Sequence, residues 1–296
     1  MKLGRFVSVL VICAVLSVSV QYIYCTETSD SLPFLRMGIG ARALSLGGAF
    51  TAVSNDASTI FWNPAGLALI NGLEIGTMFS LLSLDRTLNM VSVVSPTKFG
   101  SIGAGIVNSG VSGIKGYDNN GQPTENLSYQ ANSINLSYGK MVQENVNVGG
   151  NLKLITDSPS KTNSRTGFGL DIGFLSNVKE NLTVGVKLQD IINQIGNDIG
   201  KDSAPLIATV GGLYKTKIGI NLSGDISYNF EMKSAVLKLG GEYQINDSLS
   251  VGAGINDTEV SIGFGAKYNK LGFFYTFMTD KFNMQYIHFI SLGYKL

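Results

Sequence analysis

The stretch Asn145-Val146-Asn147-Val148-Gly149-Gly150-Asn151-Leu152-Lys153-Leu154 alternates without a break. Successive side chains of an extended chain point to opposite faces, so Val146, Val148, Gly150, Leu152 and Leu154 form one row. Asn145, Asn147, Gly149, Asn151 and Lys153 form the other. The pattern returns further on, where Phe168, Leu170, Ile172 and Phe174 oppose Arg165, Gly167, Gly169 and Asp171. Leu182, Val184, Val186 and Leu188 oppose Asn181, Thr183, Gly185 and Lys187, and Ile218 to Tyr228 repeats the theme. Many strands with a wholly apolar outer row point to hydrocarbon outside, because a closed barrel pairs every backbone group inside a bilayer. After the first segment no run reaches the roughly 18 apolar residues that a membrane-crossing helix needs. The fold predicted is all-β, a transmembrane antiparallel β-barrel of about 14 strands.

Connection lengths give an independent reading. Strands counted from Leu73 to the C-terminus number fourteen, with short turns on the side that carries the terminus and long connections at 109–128, 157–163, 190–205 and 280–285 on the other. Short periplasmic turns and long external loops characterise bacterial barrels, so the C-terminus is expected on the periplasmic side of an outer membrane. Ile290, Leu292, Tyr294 and Leu296 carry the outward alternation to the last residue.

Lys2 and Arg5 precede an apolar run from Phe6 to Val20, which reads as a secretory signal peptide over residues 1–25. Both cysteines, Cys13 and Cys25, fall there, so the exported chain is expected to hold no thiol and to need no disulfide framework. Glycine is 36 of 296 residues and the charged fraction is 15%. Soluble domains carry about 25% charge, so this composition excludes a disordered tail, a collagen and a charged coiled coil. A near-neutral balance leaves no basic surface for nucleic acid. With one histidine and no ligand-spaced cysteines, the chain is expected to be no enzyme, with no catalytic residue, metal or cofactor.

Residues 32–70 do not alternate. Asp56 is a plausible N-cap for a turn through Ala57 to Phe61, which must end at Asn63 because a residue before proline is pushed out of the helical region. Pro64 fixes its own angle and Gly66 is free to take a left-handed one. Gly40-Ala41-Arg42-Ala43, Gly47-Gly48-Ala49, Asp56-Ala57-Ser58 and Trp62-Asn63-Pro64-Ala65-Gly66-Leu67 together resemble the N-terminal region of the PorV/PorQ family, which is related to the OmpP1/FadL/TodX transporters. The resemblance is specific over residues 36–70 and architectural beyond them. It implies a hatch or plug segment over 26–71, with Asn63, Pro64, Ala65 and Gly66 as its motif, inside a barrel over 72–296. It also implies a non-enzymatic accessory in protein export or surface attachment, partnered by secreted proteins or secretion-machinery components of a type IX-like system. The FadL side implies passive transport of a hydrophobic small molecule. A structural or adhesive barrel, bound through its outer loops, is the third reading, and in each case the surrounding partner is outer-membrane lipid.

Other candidates weigh less. Gly38-Ile39-Gly40 fits a loose dinucleotide fingerprint, but no strand precedes it. His288 falls on the outward row, where an interfacial place is expected, and Tyr228, Tyr243, Tyr268, Tyr275, Tyr286 and Tyr294 suit aromatic girdles. Lys153, Asp171, Lys187, Asp225, Glu242, Glu259 and Lys267 face inward with mixed sign and are expected to pair. By alternation Met78, Leu82, Phe274, Met278 and Phe289 also face inward, on the first, penultimate and last strands, as an apolar stripe beside the closing seam. This stripe either receives a lipid-like ligand or packs against Leu44, Leu46 and Phe50; packing is the bland and commoner outcome.

Overall fold

The computed structural model describes residues 32–160, 163–197, 200–257, 259–279 and 286–296; the expected leader lies outside them. The strands are β1 (Glu74–Leu81), β2 (Arg86–Thr97), β3 (Gly100–Ile114), β4 (Leu127–Gln143), β5 (Val146–Ser160), β6 (Asn163–Lys179), β7 (Leu182–Asn197), β8 (Gly200–Asp202), β9 (Ile207–Lys215), β10 (Ile220–Asn229), β11 (Ser234–Gln244), β12 (Leu249–Asn256), β13 (Glu259–Tyr268), β14 (Leu271–Thr279) and β15 (Tyr286–Lys295). Each neighbouring pair is antiparallel, β7 pairs with both β6 and β9, and the three-residue β8 hangs on the end of β7. β1 closes on β15 in unbroken register from Glu74 opposite Lys295 to Leu81 opposite His288. The wall is therefore a closed antiparallel barrel of fourteen strands. At the seam Leu296 N–H donates to the Leu73 carbonyl at 2.8 Å, and Lys295 Nζ reaches Glu74 Oε1 at 2.6 Å.

Alternation decides the two faces. Val148, Leu152 and Leu154 are exposed on the outside, while Asn147, Asn151 and Lys153 are buried within. Ile134, Phe168, Leu222, Leu239, Ile262 and Leu292 continue the exposed apolar band around the wall. Water would leave this belt unburied, whereas hydrocarbon satisfies it while the ladder satisfies the backbone.

Two expected loops are largely strand. β5 and β6 run to Ser160 and Asn163, because Ser, Thr and Asp residues that read as turn formers instead pair across a continuous hairpin. β7 continues to Asn197 through a bulge, since Leu170 faces Ile192 whereas Ile172 faces Leu188. Asp190 takes up the extra length at φ 59°, a left-handed angle that Asp tolerates better than most residues. The connection between β3 and β4 remains a true loop, turned by Asp118 Oδ1, which accepts from Asn120 and Gln122 N–H.

Residues 32–70 lie inside this wall. They form a 3-10 turn at Pro33–Arg36, short helices at Ala41–Ser45 and Thr59–Trp62, and a second 3-10 turn at Pro64–Leu69. The glycine content makes room for them. A Cβ on Gly254 would stand 2.1 Å from the Gly47 nitrogen, and one on Gly149 would stand 2.3 Å from the Pro64 carbonyl carbon. Backbone can approach the wall this closely only where the wall has no side chain.

Candidate functional site

The lumen is the candidate site, and the turn at Asn63 organises it. Asn63 is extended at φ −155°, as a residue before proline must be, and its side chain is fully buried. Its Oδ1 accepts from Ala65 N–H at 3.1 Å. Its Nδ2 donates to the Thr51 carbonyl at 2.9 Å and to the Phe174 carbonyl of β6 at 3.0 Å. One amide thus ties two parts of the inner segment to each other and to the wall. Pro64 and Ala65 are buried beside β5 and β6. Gly66 differs from expectation. Its φ is not positive, and what demands glycine is space, since a Cβ would stand 2.1 Å from the Ser54 carbonyl oxygen. Asp56 caps the preceding turn by accepting from Ser58 N–H and Oγ, but the helix itself starts at Thr59 and runs through Trp62.

The lumenal charges grip the same segment. Asp225 Oδ2 accepts the backbone N–H groups of Phe50 at 3.1 Å and Thr51 at 3.0 Å. Lys187 Nζ donates to the Phe61 carbonyl at 2.7 Å, and Lys238 stands over the Trp62 ring, whose Nε1 donates to the Ile39 carbonyl. Lys153 bonds both Asp171, at 2.8 Å, and Asp190 at the β7 bulge. Arg42 makes a two-pronged pair with Glu242, both contacts 2.8 Å, and reaches Asp56 at 3.2 Å. Burial by itself would lower the Arg42 pKa, but the carboxylates of Glu242 and Asp56 outweigh it and hold the group above its ordinary value. Arg36, near Asp190 and Glu231, is lowered to about 10 by burial that those carboxylates offset in part.

The expected stripe comes together, but as one edge of something larger. Met78, Met278 and Phe289 are buried in a single apolar cluster, with Leu82 and Phe274 half-buried against it. Leu88, Met90, Val107, Ile155 and Ile195 extend that cluster around the wall as a collar toward the rim opposite the C-terminus. Leu32, Phe34, Ile39 and Leu44 of the inner segment fill it, and Met78 Sδ accepts from Gly40 N–H at 3.0 Å. Leu46 and Phe50 belong elsewhere, in a cluster with Val53, Leu213 and Trp62. Beyond the stripe, the collar escaped the sequence reading because its members come one or two to a strand among inward positions that are mostly polar. Outside, His288 Nδ1 and the Tyr275 hydroxyl are 2.7 Å apart on the lipid-facing row, away from the lumen.

Comparison with protein families matches residues 20–187 to the Uncharacterised protein family (UPF0164). The chain belongs to this family. No curated protein matches the UPF0164 chain. Among solved structures it is similar to "CymD monoaromatic hydrocarbon channel", with a TM-score of 0.67 at 12% identity over 90% of this chain and 99% of that one. It is similar also to the P. putida toluene transporter TodX, with a TM-score of 0.67 at 12% identity over 88% and 99%. A Pseudomonas aeruginosa FadL homologue gives a TM-score of 0.57 at 10% identity over 92% and 99%. At such identities the likeness concerns the fold.

Proposed function

We propose that this UPF0164 chain is a non-enzymatic outer-membrane barrel that lets hydrophobic small molecules pass, with residues 26–71 acting as a hatch that rearranges during passage and Asn63, Pro64, Ala65 and Gly66 as the motif of that hatch. The observation that carries the reading is the lumen itself. A closed wall with an apolar exterior holds a segment that is gripped by polar groups at one level and immersed in an apolar collar at the other. A collar of this kind suits solutes that water and ions would not follow. Support comes from shared architecture with proteins named as a hydrocarbon channel and a toluene transporter. The test is uptake of radiolabelled toluene by Gram-negative cells expressing the chain, with insertion verified by heat-modifiable mobility. Uptake several-fold above cells without the barrel is expected; an inserted barrel with unchanged uptake sinks the proposal.

A second reading, a PorV/PorQ-like accessory in protein export or attachment, rests on the motif pattern of residues 36–70. Native mass spectrometry of gently extracted protein separates the two. A retained secreted or translocon protein favours export, and a retained lipid or small molecule without protein favours passage.

A further inference from the structure

Not all inward glycines press against the inner segment. Gly293 of β15 and Gly272 of β14 are partners, and a Cβ on them would meet nothing closer than 4.0 Å and 3.6 Å respectively, whereas Gly76 of β1, opposite Gly293 at the closing seam, has Ala57 of the inner segment 3.2 Å from where its Cβ would stand. Above them lies a cavity of about 390 Å³ between the inner face of the wall and the turns around Ala41 and Asp56. Pockets of roughly 300 to 1,000 Å³ are the size that holds small ligands. The cavity is graded along its length. Phe274 and Met90 line it beside the apolar collar, while Lys267, Lys270 and Lys295 line it at the rim that carries the C-terminus.

The charges at that rim are unequally satisfied. Lys295 is paired with Glu74, and Arg42, which also lines the cavity, is paired with Glu242 and Asp56. Lys267 shares with Arg42 the influence of the Glu242 carboxylate, and Lys270 has no ion-pair partner among the described residues.

We propose that the seam cavity binds a small amphipathic anion, an aromatic carboxylate whose charge meets Lys267 and Lys270 and whose ring lies on the glycine floor against Phe274 and Met90. The site is distinct from the collar and does not depend on passage through the barrel. It is tested on resting protein in amphipol by calorimetric titration with naphthoate and with its uncharged match, naphthylmethanol. Naphthoate is expected to bind about tenfold more tightly than the alcohol, a difference of the size one charged contact supplies. The double change Lys267→Gln, Lys270→Gln should abolish that preference and leave the alcohol unaffected, and Gly272→Leu should abolish binding of both by filling the floor. Equal affinity for acid and alcohol, no binding of either, or naphthoate binding that survives the lysine changes overturns the site. If Gly272→Leu fails to fold by heat-modifiable mobility, the lysine pair decides alone. Toluene uptake retained alongside any of these failures removes the anion site and leaves the conduit standing.

Discussion

Asn63 concentrates three hydrogen bonds in one buried side chain, and no other residue type supplies both an acceptor for Ala65 N–H and two donors for the Thr51 and Phe174 carbonyls from that position. Asn63→Asp keeps the shape but loses the donors, leaving two buried carbonyls unpaired at about 1–3 kcal/mol each. It is therefore expected to loosen residues 63–70 nearly as much as Asn63→Leu, seen as faster hydrogen exchange there by mass spectrometry. Protection like that of the parent protein would mean that the amide is not what holds the turn. Gly173 poses the complementary constraint, because a Cβ there would stand 2.1 Å from Asn63 Oδ1. Gly173→Ala should displace the turn and raise ionic leak across a planar bilayer, whereas Gly212→Ala, where an added Cβ meets nothing within 4 Å, should not. Asn63 and Pro64 stood out as a rigid turn in the bare sequence. That Gly66 serves spacing rather than a left-handed angle did not, since Ser54, which forbids its side chain, approaches only through tertiary folding.

At the level of elements, the wall strands are legible because a two-sided environment writes itself residue by residue into β5, β6 and β10. Where an element leaves that environment the writing stops. The far ends of β5 and β6 carry polar residues on both faces, so alternation fades there and Ser, Thr and Asp read as loop, while in β7 the bulge shifts the alternation although Ile192 and Ile195 keep their outward and inward places. The bulge at Asp190 is invisible for a different reason, as its left-handed angle is stabilised by Lys153 on β5 and by Asp171 on β6, whose Oδ1 accepts from Asp190 N–H at 2.9 Å. This predicts a coupling between strands. Lys153→Met strands two buried carboxylates, and breaking a buried pair in this way costs about 3–5 kcal/mol. The thermal midpoint of the heat-modifiable transition should fall, and the added change Asp171→Leu should recover part of the loss. An unchanged midpoint in Lys153→Met would show that the network contributes little. Asp225 makes a parallel case, since Asp225→Asn keeps an acceptor for the Phe50 and Thr51 N–H groups, while Asp225→Leu does not and should release that stretch to protease.

For the molecule as a whole, the excess of glycine, the scattered lumenal charges and the non-alternating N-terminal segment have one common cause: the wall is built to be filled. The fourteen strands close around residues 32–70, whose apolar side chains complete the collar and whose backbone occupies the places where the wall omits side chains. Deleting residues 32–70 should therefore leave a barrel that inserts but conducts ions in large steps, against small or absent steps for the full chain. The collar could not be foreseen strand by strand, because each strand contributes only one or two of its members and their meeting depends on the closure of β1 on β15.

The central claim, that the filled lumen must rearrange for hydrophobic solutes to pass, is met most directly by locking it. Ser45 Cβ lies 3.3 Å from the Cβ position of Gly252 on β12, close to the roughly 3.5–4.5 Å separation of a disulfide. Both native cysteines lie at or before residue 25, and changing Cys13 and Cys25 to Ser leaves engineered thiols at Ser45 and Gly252 without a competitor. Toluene uptake by cells carrying the oxidised double-cysteine protein, compared with each single-cysteine protein, is the measurement. The account predicts uptake near background when the bridge forms and near the single-cysteine level when it is reduced. Undiminished uptake through a quantitatively bridged, correctly inserted barrel would contradict it.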